Sequence, residues 1–569
     1  MLALACIPGA VVAAPPAGRF LAGPYDPVSG GNLQFVNEIV GARIFYSSGF
    51  FGGSTIIGNV EAGFIWGNHD VFDRSGLFLP EAVERQVTAP GVTGEYDFHA
   101  TMVGHVLAGT GYIAPSGASP GDYSLLGIGM APHARLWSGA VATSYATDPE
   151  EIGGFMATAA STVPVFRQFF QGIGGQVPDV INSSYGFQDP TATDDVSLAI
   201  DALAATNPSV IFVAAAGNEA ATTVASPGAV FNGITVGSVG GTNFLTPSAF
   251  SSRGATDFYN PVSSTTAVGV RAAVDIAAPG EKQILAAYLG PTGGLAPLTE
   301  VTQNPSPADL FFLNQDGTSF ASPTVAGGVA LMKDVAKGWG LSATAFDSRV
   351  VKSVLMAAAD RTEGWNNGQA MVNGVIRTTQ SLDWKTGAGA LDLETAVLNY
   401  VLGETVDAAG LGGGSIGLTG WDFGSVGVNG FNDYLFTSSL TDVTELQVAL
   451  NWFAGGSFNN ATDTGVRSSF ANLDLQVWSV VNNSFQSLIA ESASLYNNSE
   501  FLRLTLPQGG RYGLRVRLPG MVYDANATPV TSASYGLSWN TVIVPEPAAG
   551  VLLIAGMAGI VVVARRRRR

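Results

Sequence analysis

A serine among small residues, at the start of an apolar helical run, is the clearest candidate for chemistry in this sequence. Ser319 lies in the segment Asp316–Pro323, which reads Asp-Gly-Thr-Ser-Phe-Ala-Ser-Pro, and the Ala- and Gly-rich run Thr324–Met332 follows it. Small neighbours let a substrate backbone come close, and the amides of a helix's first turn can bind developing negative charge. The segment therefore predicts a nucleophilic serine, with a serine that only caps the helix as the alternative.

A serine nucleophile needs a neutral imidazole to accept its proton. The sequence contains four histidines, which are His69, His99, His105 and His133. His99 and His105 belong to one helical run, and His105 lies about one and a half turns further along it, away from the sheet edge. We expect His99 to be the general base, with His105 as the competing candidate. His133 is interpreted as a surface loop histidine.

The elements that would position these groups follow from the pattern between residues 44 and 400, where short β-branched runs alternate with Ala-rich helical runs. The strand candidates are Thr55–Val60, Ala134–Ala140, Val180–Ser184, Val210–Ala215 and Gly233–Val239, and the helix candidates are Thr101–Leu107, Glu150–Gln171 and Asp195–Ala205. Several strands are almost continuously apolar, as expected for strands covered on both faces. The pattern predicts a doubly wound, parallel α/β sheet, whose chemistry gathers beyond the carboxyl ends of its strands.

The segment around Ser319 matches Gly-Thr-Ser-x-Ala-x-Pro, the nucleophile signature of subtilisin-like serine proteases, at every specified position. This resemblance implies that Ser319 is the nucleophile. The segment that begins at His99 is similar to the family's histidine motif, His-Gly-Thr-His-Val-Ala-Gly. It keeps the first His, the Thr and the Val, whereas Ala100 replaces the Gly, Met102 replaces the second His and His105 occupies the final Gly position.

The catalytic carboxylate is where the sequence departs from the family, which places an aspartate after an apolar strand. The matching segment Ile56–Ile65 reads Ile-Ile-Gly-Asn-Val-Glu-Ala-Gly-Phe-Ile, with Glu61 in the aspartate position. Because the role requires a carboxylate at the ring nitrogen, Glu61 can orient His99 if a shift of strand or ring absorbs the extra methylene. The alternative orienting carboxylates are Asp70, Asp73 and Asp97.

Asn218 follows the apolar run Val210–Ala216 in the segment Ala-Ala-Gly-Asn-Glu, which resembles the family's oxyanion-hole asparagine. The resemblance implies that its side-chain amide donates alongside the Ser319 backbone N–H; a turn asparagine after Gly is the alternative. It also implies a substrate bound as an added strand beside Ser184–Gly186. The residues assigned to substrate binding are Ser184, Tyr185, Gly186, Ala214, Ala215 and Ala216. Gly186 and the three alanines predict an apolar, fairly open pocket for the residue before the cleaved bond.

The amino-acid composition excludes several classes of function. The chain has 569 residues, a net charge of −18 and one cysteine, Cys6. Basic residues are too scarce for the basic face that nucleic-acid binding requires, so we expect no nucleic-acid partner. A single cysteine excludes a disulfide framework and a multi-thiolate metal site. The resemblance implies polypeptide substrates, and we expect no cofactor. Calcium sites are common in the family, but no acidic loop here fits a twelve-residue calcium pattern, so calcium stays open.

Both ends of the chain are predicted to be sorting segments. Residues 1–14 form an apolar run ending in small residues, followed by Pro15-Pro16, which is typical of a secretory signal; a buried N-terminal strand is the alternative. Val544–Pro547, the uncharged stretch 548–564 and Arg565–Arg569 together resemble the PEP-CTERM sorting signal of Gram-negative bacteria. That resemblance implies an exosortase-type processing enzyme as partner and a transmembrane helix over 548–564 that anchors the chain at least transiently. The expected location is the cell envelope or the exterior.

Apolar residues that alternate between about 421 and 541 predict a β-sandwich after a Gly-rich linker. Short motifs such as Asn432-Asp433-Tyr434 resemble the bacterial pre-peptidase C-terminal domain. The predicted division is a signal peptide (1–14), an N-terminal segment (15–43), a subtilisin-like peptidase domain (44–402), a linker (403–420), the β-sandwich (421–541) and the sorting signal (542–569). The predicted fold is thus a subtilisin-like, doubly wound, mostly parallel α/β sheet, a β-sandwich and a C-terminal transmembrane helix.

Two classes of function follow from these patterns. The first is a secreted serine endopeptidase that uses Ser319, His99, Glu61 and Asn218. The second is a catalytically inactive subtilase fold that serves as an envelope adhesion or structural protein. Glu61 in place of aspartate and the altered histidine motif are the features that favour the second class.

Overall fold

The computed structural model describes residues 35–74, 79–111, 128–146, 154–220, 223–288, 311–405, 411–441 and 444–543. The predicted signal peptide, the predicted transmembrane segment 548–564 and nearly all of the predicted sorting signal lie outside the described residues. Within those ranges, no helix combines the length and the apolar character needed to span a membrane.

The described helices are α1 (Val36–Ile39), α2 (Arg43–Ser47), α3 (Phe98–Ala108), α4 (Ala159–Gln171), α5 (Asp195–Thr206), α6 (Thr318–Trp339), α7 (Ser348–Ala358) and α8 (Leu393–Leu402). Short 3₁₀ turns occur at Asp70–Phe72 and Ala343–Phe346. The strands up to residue 378 are β1 (Ile56–Glu61), β2 (Val83–Val87), β3 (Arg135–Ala140), β4 (Ser144–Tyr145), β5 (Phe155–Met156), β6 (Val180–Ser183), β7 (Ile211–Ala215), β8 (Ile234–Gly240), β9 (Thr246–Pro247), β10 (Ala255–Asn260), β11 (Thr265–Ala272), β12 (Ile276–Pro279), β13 (Gln283–Ala286), β14 (Phe311–Gln315), β15 (Ala370–Val372) and β16 (Val375–Thr378).

The first large sheet has the strand order β12-β8-β7-β6-β1-β3-β2, and each neighbouring pair along this order is parallel. Strands β1, β7, β8 and β12 are buried along their whole length, because helices cover both faces of the sheet. One face packs in a core with α3, α6 and α7, and the other packs with α4 and α5. The predicted doubly wound, parallel α/β sheet is therefore confirmed.

The predicted helix Glu150–Gln171 begins too early. The observed helix α4 begins at Ala159, because Thr158 caps it in a reciprocal arrangement with Ser161. Upstream of this cap, strand β5 pairs with β4 as a short hairpin. A capping box fixes the first residue of a helix through two hydrogen bonds. The prediction was based on the pattern of apolar residues, which carries no information about these bonds, so it placed the start too early.

The C-terminal strands are β17 (Gly414–Ile416), β18 (Gly420–Gly427), β19 (Phe431–Phe436), β20 (Thr444–Trp452), β21 (Gly455–Asn459), β22 (Thr464–Val481), β23 (Ser484–Ser492), β24 (Ser499–Thr505), β25 (Arg511–Asp524) and β26 (Ser532–Ile543). They form one sheet in the order β15-β16-β23-β22-β25-β19-β17, with β21 beside β22, and a second in the order β18-β26-β20-β24. Side chains from both sheets share one hydrophobic core. The likeness to the pre-peptidase C-terminal domain stays a prediction.

Two segments cross the predicted domain boundaries. The hairpin β15–β16, inside the predicted peptidase domain, adds to the C-terminal sheet through the parallel pair β16–β23. In the predicted linker 403–420, Gly414–Ile416 forms strand β17, which pairs with β19. The two parts of the chain are thus joined by sheet pairing as well as by the connecting segment.

A buried charged cluster also joins the two parts. Arg467 on β22 donates to the carboxylate of Asp201 on α5, with Nη2 2.9 Å from Oδ2, and both side chains are almost fully buried. The Phe231 ring lies close to two guanidinium groups, 4.3 Å from that of Arg467 and 3.6 Å from that of Arg271. Removal of either partner of the ion pair would therefore leave a buried charge without its counter-charge.

Candidate active site

The carboxyl ends of three adjacent strands bring the candidate residues together. Glu61 is the last residue of β1, Ser184 follows β6, and Asn218 lies shortly after β7. Because these strands are parallel neighbours, their ends meet at one edge of the sheet. The helices that begin near His99 and Ser319 pack on the same side of the sheet, in one core.

Glu61 is almost fully buried and uses both of its carboxylate oxygens. Its Oε2 lies 3.0 Å from His99 Nδ1, and its Oε1 accepts a hydrogen bond from the backbone N–H of Ser184 at 2.8 Å. A carboxylate at Nδ1 favours the tautomer that carries its proton on that nitrogen, which leaves Nε2 as the acceptor. The pair therefore has the arrangement that general-base chemistry requires.

His99 is the second residue of α3 and its side chain is 26% exposed, whereas that of Glu61 is 1% exposed. Burial by itself lowers the pKa of His99, but the hydrogen bond and charge of Glu61, together with the charge of Asp97, raise it above its ordinary value. The site therefore stabilises the imidazolium that forms when His99 accepts a proton.

The other carboxylates have different places. Asp97 caps α3, accepting from Ala100 N at 2.7 Å, and burial raises its pKa to about 6 although the charge of His99 lowers it. Asp70 and Asp73 line a cavity of about 720 Å³ beside β2, the edge strand. The carboxylate bonded to His99 is that of Glu61.

The remaining histidines lie in structural positions. His105 is fully buried, and its Nδ1 accepts from Ala286 N at 3.0 Å. His69 caps the 3₁₀ turn through its ring nitrogen. His133 lies in a loop against Phe51, where burial and the charge of Arg74 lower its pKa to about 4.

Ser319 is the second residue of α6 and is 6% exposed. Its Oγ donates to the carbonyl oxygen of Ser184 at 3.0 Å, and its own carbonyl accepts from Ser184 Oγ at 3.0 Å. The ring of Phe320, the next residue, lies 6.0 Å from that of His99 between centroids. The hydroxyl of Ser319 is thus bonded to Ser184 and not to His99; hydrogen bonds between active-site groups are often long or poorly aligned in structures without substrate and tighten when substrate binds.

Asn218 is exposed, and its orientation is set by Thr318. Its Oδ1 accepts from Thr318 N at 2.8 Å and from Thr318 Oγ1 at 3.0 Å, so its Nδ2 amide is directed away from that residue. The preceding Gly217 has a φ of 105°, and a Cβ there would lie 2.9 Å from Ser252 Oγ. A glycine is therefore required for the turn that presents Asn218.

The predicted substrate-binding residues fall into two groups. Ser184 is buried, Tyr185 is half-buried and Gly186 is exposed, so the exposed backbone begins near Gly186. The side chains of Ala214 and Ala216 lie in hydrophobic clusters, and Ala215 is also buried. All three alanines are therefore buried, and the pocket that the sequence predicted at them stays a prediction.

In the part of the chain that the structure describes, no three or more His, Cys, Asp or Glu side chains are grouped so that they could hold a metal ion.

The model of the subtilase family matches residues 69–378, more than half of the chain. The chain belongs to the subtilase family. His99, Asn218 and Ser319 lie within the matched residues, whereas Glu61 precedes them. Two solved structures are similar to this subtilase at 20% identity: the prenylagaramide maturation protease PagA, over 63% of this chain and 98% of that chain with a TM-score of 0.41, and MycP1 without its N-terminal propeptide, over 64% and 96% with a TM-score of 0.39. The search of curated proteins found no match.

Sequence reasoning missed three buried polar residues behind the site of this subtilase, which are Asn59, Asn182 and Ser322. Asn59 and Asn182 lie on adjacent strands as a register pair, and Ser322 lies on α6. An asparagine inside an otherwise apolar strand was the available signal, because a polar side chain in a strand covered on both faces needs partners.

Proposed function

We propose that this subtilase is an exported serine endopeptidase that hydrolyses peptide bonds through an acyl-enzyme. Ser319 is the nucleophile, His99 the general base, Glu61 the orienting carboxylate and Asn218 the oxyanion donor. The observation that carries the proposal is the 3.0 Å contact between Glu61 Oε2 and His99 Nδ1 at the sheet edge where α6 presents Ser319.

In the proposed reaction, Ser319 Oγ attacks the carbonyl carbon of the scissile bond while His99 Nε2 takes its proton. The negative charge that develops on the carbonyl oxygen is stabilised by the Ser319 N–H and the Asn218 Nδ2 amide. His99 then gives the proton to the leaving amine, and the acyl-enzyme remains. A water molecule, deprotonated by His99, releases the acyl group by the reverse sequence.

Glu61 is chemically competent in the role that aspartate fills elsewhere in the family. The role needs a carboxylate that holds the Nδ1 proton and stabilises the imidazolium, and Glu61 accepts at Nδ1 while its second oxygen accepts from Ser184 N. Two hydrogen bonds therefore fix the position of the carboxylate, although the glutamate side chain has one methylene group more than aspartate.

We further propose that substrates are extended polypeptides paired along Ser184–Gly186. The predicted signal peptide and sorting signal support export of the protein. The proposed processing partner is an exosortase-type enzyme, and the segment 548–564 would anchor the protein in the membrane at least until processing.

The test is covalent labelling of the exported protein with a fluorophosphonate probe, combined with hydrolysis of casein. We expect labelling and hydrolysis by the wild type, and neither by Ser319→Ala. If the folded wild type stays unlabelled under conditions that label a known subtilase, the proposal is wrong. That outcome favours the second candidate, an inactive envelope adhesion or structural protein.

A further inference from the structure

A chain of buried polar side chains lies directly behind the proposed nucleophile. Asn59 on β1 and Asn182 on β6 are fully buried register partners in the centre of the parallel sheet. Ser322, on the first turns of α6, is fully buried as well. Polar groups buried in an apolar sheet are costly unless hydrogen-bonded, so their partners reveal what they hold in place.

Asn182 is the centre of this chain. Its Nδ2 donates to Asn59 Oδ1 at 3.0 Å and to Ser184 Oγ at 3.1 Å, and its Oδ1 accepts from Ser322 Oγ at 2.7 Å. The three bonds fix which end of the amide is which, because Ser184 Oγ uses its own proton on the Ser319 carbonyl. Asn182 therefore ties β1, the end of β6 and the start of α6 together.

The bond from Ser184 Oγ to the Ser319 carbonyl has a specific cause. In a regular helix that carbonyl would accept from the N–H four residues later, but the residue there is Pro323, which has no N–H. Ser184 Oγ supplies the missing donor at 3.0 Å. Asn182, by bonding Ser184 Oγ, directs that hydroxyl proton to the backbone of the nucleophile.

Ser184 also connects the two halves of the proposed site. Its backbone N–H donates to Glu61 Oε1, and its hydroxyl donates to the Ser319 carbonyl. A shift of Ser184 would therefore move the orienting carboxylate and the nucleophile relative to each other. Such a displacement of about 1 Å lowers rates on the order of 100-fold, because attack needs the reacting atoms in register.

We infer that Asn182 is a positioning residue for the reaction, which sets the place of Ser319 relative to His99 through Ser184 Oγ and Ser322 Oγ. The inference rests on the proposed function. A merely structural role for Asn182 would lower stability without changing the reactivity of those molecules that are folded.

Asn232 provides a matched control. Its Nδ2 donates to Asp201 O and Ala454 O at 2.8 and 2.9 Å, and its Oδ1 accepts from Ala454 N at 2.8 Å. It is buried like Asn182, and its side chain makes the same number of hydrogen bonds. Its partners, however, are Asp201 in the α/β part and Ala454 in the C-terminal part, so its hydrogen bonds join the two parts of the chain. Its loss should therefore affect stability without affecting the nucleophile.

The experiment measures the second-order rate constant of fluorophosphonate labelling of Ser319, together with the melting temperature, for the full exported chain. The variants are Asn182→Ala, the milder Ser322→Ala and the control Asn232→Ala. Ser322→Ala removes only the hydrogen bond that Ser322 Oγ donates to Asn182. A fluorophosphonate reacts at the nucleophile without needing an extended peptide, so its rate reports on the geometry of Ser319.

We expect Asn182→Ala to slow labelling on the order of 100-fold. Ser322→Ala should slow it less, and Asn232→Ala should lower the melting temperature while labelling at the wild-type rate. If Asn182→Ala fails to fold, Ser322→Ala decides: slower labelling supports the inference and the wild-type rate overturns it. Equal rates for all folded variants, with a labelled wild type, overturn the inference alone. An unlabelled wild type overturns the proposed function, and the inference falls with it.

Discussion

Glu61 and His99 share a hydrogen bond of 3.0 Å between Oε2 and Nδ1, and this bond joins the end of strand β1 to the first turn of α3. The family places an aspartate at the corresponding point. Here the longer side chain reaches the ring while its other oxygen accepts from Ser184 N. The glutamate therefore keeps a carboxylate fixed beside the imidazole, and its two contacts lead to specific predictions about the site.

Glu61→Gln should shift the pH dependence of activity. His99 acts as a base only when neutral, and its raised pKa places the acidic limb of the kcat/KM profile above the ordinary histidine value. Without the charge of Glu61, burial lowers the pKa of His99, so the limb should move to lower pH. We expect kcat to fall on the order of 10⁴-fold as well. A variant with an unmoved limb and unchanged kcat would show that another carboxylate orients His99.

Glu61→Asp should lower activity even though aspartate is the family's residue. The side chain becomes shorter by about one carbon–carbon bond, roughly 1.5 Å. The register pairs on both sides of β1 hold its backbone, so the strand cannot follow. The aspartate then cannot reach both His99 and Ser184, and we expect kcat to fall about 10- to 100-fold. Steady-state kinetics on a peptide substrate test this, and a gain in kcat would contradict it.

Asn218→Ala should lower kcat on the order of 10²–10³-fold with KM nearly unchanged, because the Nδ2 amide serves the charge that develops only in the transition state. A suitable control is Asn207→Ala, which removes a side chain that bonds Leu203 O at the end of α5, outside the site. Kinetics on the same peptide compare the two. A fall for Asn218→Ala confined to KM would assign Asn218 to substrate binding instead.

His99→Ala and His105→Ala should separate catalysis from stability. His105 is fully buried and accepts from Ala286 N, so its loss should lower the melting temperature. The folded fraction of that variant, counted by fluorophosphonate titration, should keep its kcat. His99→Ala should lose kcat on the order of 10⁶-fold, whatever the change in its melting temperature. The opposite pattern would make His105 the base.

Arg467→Ala should destabilise the α/β part and the C-terminal sheets together. It leaves the buried Asp201 without its ion-pair partner, which costs about 3–5 kcal/mol in the free energy of unfolding. The partly exposed pair Arg135–Glu84 is the comparison, and Arg135→Ala should cost about 0–1 kcal/mol. Denaturant unfolding measures both. Similar costs for the two variants would show that the buried pair does not hold the two parts together.

Much of the fold and part of the candidate site could be predicted from local sequence patterns. The apolar runs predicted the parallel strands β1, β3, β6, β7 and β8 within a residue or two, because a strand covered on both faces must be apolar along its length. The start of α4 and the addition of β15–β16 to the C-terminal sheet were not predicted. The first depends on a capping box and the second on pairing with a strand distant in sequence.

The sequence by itself determined the segment that carries Ser319 and the family to which the chain belongs, because a nucleophile at a helix start needs its small neighbours next to it in the chain. Tertiary structure alone decided which carboxylate meets His99, which histidine is buried in the core, and that Asn182 joins Ser184 to α6. These relationships join residues far apart in the sequence, such as Glu61 and Ser184, which are 123 positions apart. A hydrogen bond depends on distances of a few tenths of an ångström, and only the packing of strands and helices sets them.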